Sequence, residues 1–393
     1  MSVRSLKISE FCKTGSGGTP LRTKPEYYEN GTIPWVKSGE LRENTVLDTG
    51  EKITEEAIKN SSAKIIPKGS LLLAMYGATV GRLAFLGIDA ATNQAVCNIQ
   101  PDESEAYPKY LYYALLQKVP DFLRQATGGA QPNISQTLIK ETTIPLPPLP
   151  EQKRIAAILD KADAIRRKRQ QAIQLADQFL RAVFLEMFGD PVTNPKGWDE
   201  LVLKDIADIR SGVTKGKKID PSTAVTLPYM RVANVQDGYL DLDDVQNITV
   251  SPKDAEKCRL ESGDILLTEG GDPDKLGRGY VWHGEVEDCI HQNHIFSVRV
   301  HNHEKVNPLF LSAVISSQRG KRYFLKVGKQ TTGIATINKT VLSEFIPIVP
   351  PYDVQMKYIS AVRKVESLKR LHQSSSLNIF ESISQKSFVG ELQ

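Results

Sequence analysis

The sequence repeats itself once, in order, at a shift of about half its length, and this constrains the fold more than any other feature. "LKISEFCKTGSGGT" (Leu6 to Thr19) resembles "LKDIADIRSGVTKG" (Leu203 to Gly216). "IPWVKS" at Ile33 answers "LPYMRV" at Leu227, and "KGSLLLAMYG" at Lys68 answers "SGDILLTEGG" at Ser262. "TNQAVCNI" at Thr92 answers "QNHIFSVRV" at Gln292. "NISQTLIKETTIPLPPLPEQKRI" at Asn133 answers "TINKTVLSEFIPIVPPYDVQMKYI" at Thr336. The offset moves from 197 to 194 and then to 203, as loop insertions produce. A period this long is no solenoid; it implies two copies of one domain.

Short Val, Ile and Leu runs broken by Gly, Asn, Asp and Pro predict an α+β, strand-rich domain in each copy. One helix is expected near the end of each, in "YPKYLYYALLQKVPDFL" and "NPLFLSAVISSQRGKRYFL". A proline run then closes each copy. Pro145, Pro147, Pro148 and Pro150 fix φ and remove donors, so this stretch is a stiff spacer, and Pro150 with Glu151 suits a helix start.

A heptad seam follows, through Ile155, Leu159, Ala162, Arg166, Arg169, Ile173, Ala176, Leu180, Val183 and Met187. Ile158, Ile165, Ala172 and Phe179 widen the stripe, and Gly189, Asp190 and Pro191 end it. A second, weaker pattern runs through Ile359, Val362, Val365, Leu368, Leu371, Ile379 and Ile383. Each helix would hold about 36 residues and span roughly 54 Å. Two such helices pair antiparallel only with the domains at opposite ends. The expected organisation is a first domain over 1–150, a central spacer helix over 151–189, a second domain over 190–351 and a C-terminal spacer helix over 352–393.

The 393 residues are 40% apolar and 24% charged with net charge +4, the composition of a soluble two-domain protein. That mild basicity is compatible with nucleic acid only if charge is placed locally or shared with a partner. Cys12, Cys97, Cys258 and Cys289 lie far apart, which suits a reducing compartment and excludes a disulfide scaffold. "MSVRSLKISE" lacks the apolar region of a secretory signal, and no apolar run reaches membrane-spanning length. A cytoplasmic location is expected.

With "SGGTP", "IPWVKSGEL", "TGGAQPNIS" and above all "PLPPLPEQKRIAAILDKADAIRRKR", the chain resembles the specificity subunit of type I restriction-modification systems over essentially its whole length. The second copy departs from the pattern where "YDVQ" replaces "LPEQ". The resemblance implies two target recognition domains on two long antiparallel coiled-coil helices, with a pseudo-two-fold internal repeat. Each domain would read half of a bipartite, asymmetric site on double-stranded DNA, and the helices would act as the ruler between half-sites. It also implies docking of two methyltransferase subunits, with restriction subunits joining. S-adenosylmethionine, ATP and Mg would belong to those partners, and this chain would bind no cofactor.

The residues themselves offer no catalytic motif. "VPPY" (Val349 to Tyr352) has Val where an amino-methyltransferase needs Asn or Asp, "SGVTKGKK" has the wrong spacing for a phosphate cradle, and Pro273-Asp274 lacks the Glu-x-Lys of a nuclease. Cys289, His291, His294, His301 and His303 match no common zinc spacing, so no metal is expected.

Phosphate contact needs Lys, Arg and small polar groups, and base reading needs Arg, Lys, Asn or Gln. Gly-punctuated segments offer Lys13, Ser16, Thr19, Arg22, Lys37, Tyr76, Thr79, Arg82, Gln131 and Asn133 in the first copy. The second offers Arg210, Lys215, Lys217, Lys218, Arg231, Lys275, Arg278, Lys329, Gln330 and Thr331. Arg166, Arg167, Lys168 and Arg169 form either a solvated face or a basic midpoint toward DNA or an acidic partner. Phe179, Phe184 and Phe188 are the expected docking residues. A rival class, a protein-interaction scaffold with no DNA role, remains open; scrambling "TKGKK" and "GKQTTG" would separate the two.

Overall fold

A computed structural model describes residues 4–43, 45–128, 132–216, 218–271, 277–331, 334–374, 382–384 and 386–388. The chain divides into two compact units, residues 1–171 with 372–393 and residues 172–371.

In the first unit a five-stranded sheet runs in the order Cys12–Ser16, Val96–Pro101, Leu71–Ala74, Leu83–Leu86, Thr45–Val46. A smaller sheet joins Lys52–Ile53, Ile33–Val36 and Ala91–Thr92. Arg4–Lys7 pairs antiparallel with Thr143–Leu146, which ties the start of the unit to the proline run. The helix Pro108–Gln125 covers one face of the larger sheet, burying Tyr110, Leu111 and Phe122 against Leu71, Leu73 and Ile99.

The second unit repeats this plan. Its main sheet runs Ala207–Ser211, Ile295–Val300, Ile265–Thr268, Gly279–Val281, and its smaller one Gln246–Val250, Val225–Met230, Ile290–His291. Register fixes the internal equivalence: Ser16 opposes Cys97 as Ser211 opposes Phe296. The local offset is therefore 195 rather than the expected 197. It aligns Gly17 with Gly212 in the repeat, each pressed so close to the neighbouring strand of its own unit that a Cβ would lie 2.0 Å from the carbonyl oxygen of Thr92 or His291. Only glycine fits both places.

Where one helix was expected, the second unit has two, Pro308–Ser316 and Gln318–Val327. Ser317 between them is extended, and its side chain accepts from the backbone of Arg319 at 3.2 Å, capping the second.

The long helix runs from Leu149 to Phe188, a length of 40 residues and about 60 Å. Its seam matches the heptad reading: Ile155, Leu159 and Ala162 are buried, and Arg166, Arg169, Ile173, Ala176, Leu180, Val183 and Met187 are half-buried. The widened stripe does not hold, because Ile165, Ala172 and Phe179 are exposed and only Ile158 is half-buried. The C-terminal helix is described over Tyr352–Ser374, and residues 382–384 and 386–388 are helical again; the remainder of the expected 352–393 helix, Ile379 included, lies outside the described residues. In Tyr352–Ser374, Ile359 and Val365 are buried while Leu368 is exposed. Within the second unit the two helices run antiparallel, Asp177 pairing with Lys369 and Phe184 packing on Tyr358 with ring centroids 5.5 Å apart.

Candidate functional site

The same backbone arrangement appears at the same place in each unit, built from segments far apart in sequence. In the first unit Asn133 bridges to both Tyr76 and Thr127, and Ile134 N–H donates to Met75 O at 3.0 Å. In the second, the strand Ile334–Thr336 lies between Gly270–Gly271 and Lys329–Thr331, and Ile337 N–H donates to Glu269 O at 2.8 Å. Tyr76 thus corresponds to Gly270, Asn133 to Thr336 and Thr127 to Lys329. Beside this patch the carbonyl of Arg82 accepts from Ala74 at 2.9 Å and that of Arg278 from Thr268 at 3.2 Å, so the two arginines are equivalent.

Two sets of side chains therefore sit on one scaffold. Tyr76 is 40% exposed, Asn133, Thr127 and Arg82 are exposed, and Thr79 donates its hydroxyl to Tyr76 O at 3.0 Å. Thr127 and Thr336 open the stretches "TGGAQPNIS" and "TINKTVLSEF" but are not among the candidates above; the pairing with Asn133 and Lys329 is what places them in this patch. Lys329, Gln330 and Thr331 form an edge strand of the sheet in this patch. Gln131, Lys217 and Lys275 lie outside the described residues.

Several other candidates serve the fold. The Arg22 guanidinium lies 4.5 Å from the Tyr28 ring centroid and 5.1 Å from that of Trp35, and it pairs with Glu51 at 2.8 Å. That hydrogen bond holds the Glu51 carboxyl below its usual range. Lys37 adds a second cation 3.4 Å from Glu51, and Thr19 bonds Gln94. Arg231 binds the Asp244 carbonyl at 2.6 Å and its carboxylate at 2.7 Å, closing its own loop. Arg22, stacked on two rings and bidentate to Glu51, and Arg231, held to Asp244, are thus both paired within the chain. Arg210 is half-buried, 3.8 Å from Asp208.

Lys13 and Ser16 are exposed on an edge strand, and Lys218 is exposed on its loop. Lys215 sits 5.2 Å from the Tyr229 ring and lines an open recess of about 340 Å³ with Gln246, Asn247 and Asp254.

The docking residues divide. Phe179 is 55% exposed, but Phe184 is 6% and Phe188 0% exposed, both packed with Phe310 and Tyr358 in the core of the second unit. Phe184 and Phe188 are thus core, because the seam turns them onto the globular domain. Arg166 and Arg167 bind Asp163 and Glu43, whereas Lys168 is exposed.

His291 is buried and donates Nδ1–H to Cys258 O at 2.9 Å; burial pushes its pKa down, so it stays neutral. Burial pushes the Cys12, Cys97 and Cys289 thiols up to about 12. Among the described residues no cluster of three His, Cys, Asp or Glu could hold a metal, and no helix is long and apolar enough to cross a membrane.

The sequence pattern of the type I restriction modification DNA specificity domain matches this chain twice, over residues 3–175 and 195–379. The MjaIX specificity subunit of a type I restriction enzyme from Methanocaldococcus jannaschii is 30% identical over 293 residues, 69% of this chain and 67% of that protein. The EcoR124I/EcoR124II specificity subunit of Escherichia coli is 34% identical over 163 residues, and the match spans 40% of each chain. The solved S subunit of a type I restriction-modification system from M. genitalium shares the fold, with a TM-score of 0.53 at 16% identity, covering 98% of this chain and 96% of that one.

Proposed function

Because this chain belongs to the type I restriction-modification DNA specificity family, we propose that it reads a bipartite, asymmetric site on double-stranded DNA for a multisubunit complex. One observation carries this reading. The two units hold an equivalent backbone patch, isolated bridges in the first and a three-stranded sheet in the second, in which the arginine is kept, Arg82 and Arg278, while Tyr76, Asn133 and Thr127 become Gly270, Thr336 and Lys329. A common arginine beside positions whose side chains change is the pattern expected when phosphate contact is shared and base reading differs. Two copies with different readers specify two different half-sites, hence an asymmetric motif.

In this reading the chain is non-catalytic and cytoplasmic and holds no cofactor of its own. Two methyltransferase subunits dock on the helices, where Phe179 is an exposed apolar contact, and restriction subunits join them. S-adenosylmethionine, ATP and Mg are the partners' cofactors. The test is co-expression with the neighbouring methyltransferase, followed by long-read mapping of methylated adenines in host DNA. A motif of two unlike half-sites around an unspecified gap is the expected result. A continuous or palindromic motif, or no methylation from an intact complex, would count for the scaffold instead.

A further inference from the structure

Glu43 holds a backbone conformation that its chemistry disfavours. Its φ is 55°, in the left-handed region, and its N–H donates to Leu83 O at 2.9 Å. The equivalent residue of the second unit is Gly238, with φ 81° and an N–H donating to Gly279 O at 3.0 Å. The fold asks for glycine here, and the second unit supplies it. A glutamate in this place persists only where its side chain is held from elsewhere.

What holds it is the middle of the long helix. Arg166 Nη2 donates to Glu43 Oε2 at 2.8 Å and its Nε to Asp163 Oδ1 at 2.9 Å. Arg167 Nε donates to Asp163 Oδ2 at 2.6 Å, and its Nη2 to the Glu43 carbonyl at 2.6 Å. Asp163, one helical turn earlier, is buried and clamps both guanidinium groups. The second unit lacks the lock: Gly238 has no carboxylate, and Lys369, at the place of Arg166 in the repeat, pairs with Asp177 of the long helix.

We propose that Glu43, Asp163, Arg166 and Arg167 form a positioning lock that fixes the direction in which the long helix leaves the first unit. Through that direction the lock sets the gap between half-sites. Glu43 and the arginines touch no base in this role; they act through the helix. The inference rests on the reading that the chain recognises a bipartite DNA site. It assigns the arginines to ruler geometry and not to direct DNA contact.

The test compares wild type, Glu43→Gly and Glu43→Asp, each co-expressed with the methyltransferase and mapped by long-read sequencing. Glu43→Gly removes the carboxylate while giving the backbone the residue its φ favours, so a folded protein is expected. Discrimination between the wild-type gap and gaps one base pair longer or shorter should fall about tenfold, with both half-site sequences unchanged. Glu43→Asp, which keeps the carboxylate and tolerates this φ, should restore the single gap. Should Glu43→Gly lose its fold by circular dichroism, the pair Arg166→Gln and Arg167→Gln carries the same readout. An unchanged gap in a folded variant, or an altered half-site sequence, overturns the lock. A wild type with no bipartite motif sinks the DNA reading itself, and the lock with it.

Discussion

Gln152 reaches from the first turn of the long helix to the backbone of Tyr107, its Oε1 accepting that N–H at 2.7 Å. Its Nε2 donates to the carbonyls of Glu105 and Pro147, each at 2.9 Å. Gln355 repeats every contact in the second unit, accepting from Asn307 at 2.9 Å and donating to Lys305 at 3.0 Å and Pro350 at 2.8 Å. Both glutamines are buried. The proline run and the helix start are thus bolted to the globular domain by one side chain, which explains why stiff prolines precede the helix. They present a carbonyl in a fixed place for the glutamine to bind.

Gln152→Ala should destabilise the first unit by about 2–3 kcal/mol, since one buried N–H and two carbonyls lose their partner. Gln355→Ala should do the same to the second. Hydrogen exchange read by mass spectrometry separates the units, and loss of protection confined to the mutated unit is the expected pattern. Equal protection in both variants would show that water replaces the side chain.

The patch beside Tyr76 predicts two different losses. Arg82→Ala should weaken DNA binding evenly across sequences and lower the salt slope by about 1, the signature of a phosphate contact. Asn133→Ala should cost about 1–3 kcal/mol at one base pair of one half-site and leave the other half-site intact. Titrations of the assembled complex at several salt concentrations distinguish them; identical profiles would show that neither residue reads DNA.

Phe179 and Phe184 lie five residues apart on one helix and should respond oppositely. Phe184→Ala opens a cavity among Phe188, Phe310 and Tyr358 and should cost about 3–5 kcal/mol. Phe179→Ala, at an exposed position, should change stability by no more than about 0.5 kcal/mol. If Phe179 docks a methyltransferase subunit, its replacement lowers that affinity in a pull-down while the melting point holds. Unaltered affinity would remove it from the interface.

The repeat and the heptad seam were legible because each is a pattern carried by many residues. Ile155 to Met187 kept its register even where arginine interrupts it, since a seam tolerates a long side chain that can reach outward to a partner. The widened stripe failed at Ile165 and Phe179 because apolar residues on a helix do not by themselves say which face is covered. Arg22 and Arg231 read as DNA contacts from composition. Their partners, Glu51 and Asp244, became visible only when the sheets brought them together. Gln152 and Gln355 were in register within the repeat, and a buried polar residue kept where its neighbours change was the available signal.

His291 gives the second unit a pH limit that the first lacks, because its structural equivalent is Thr92. The ring is buried neutral, so its folded pKa lies below the unfolded value of about 6.5. Above that pH neither state binds the proton and the histidine costs nothing. As pH falls below it the unfolded chain protonates first, and stability is lost at up to about 1.4 kcal/mol per pH unit until the folded pKa is reached. His291→Thr should remove this slope below about pH 6.5 while leaving the first unit's pH dependence as it was. Chemical denaturation at several pH values, with exchange protection assigned to each unit, measures it. A variant whose second unit still weakens on acidification as steeply as wild type would move the sensitivity to other groups.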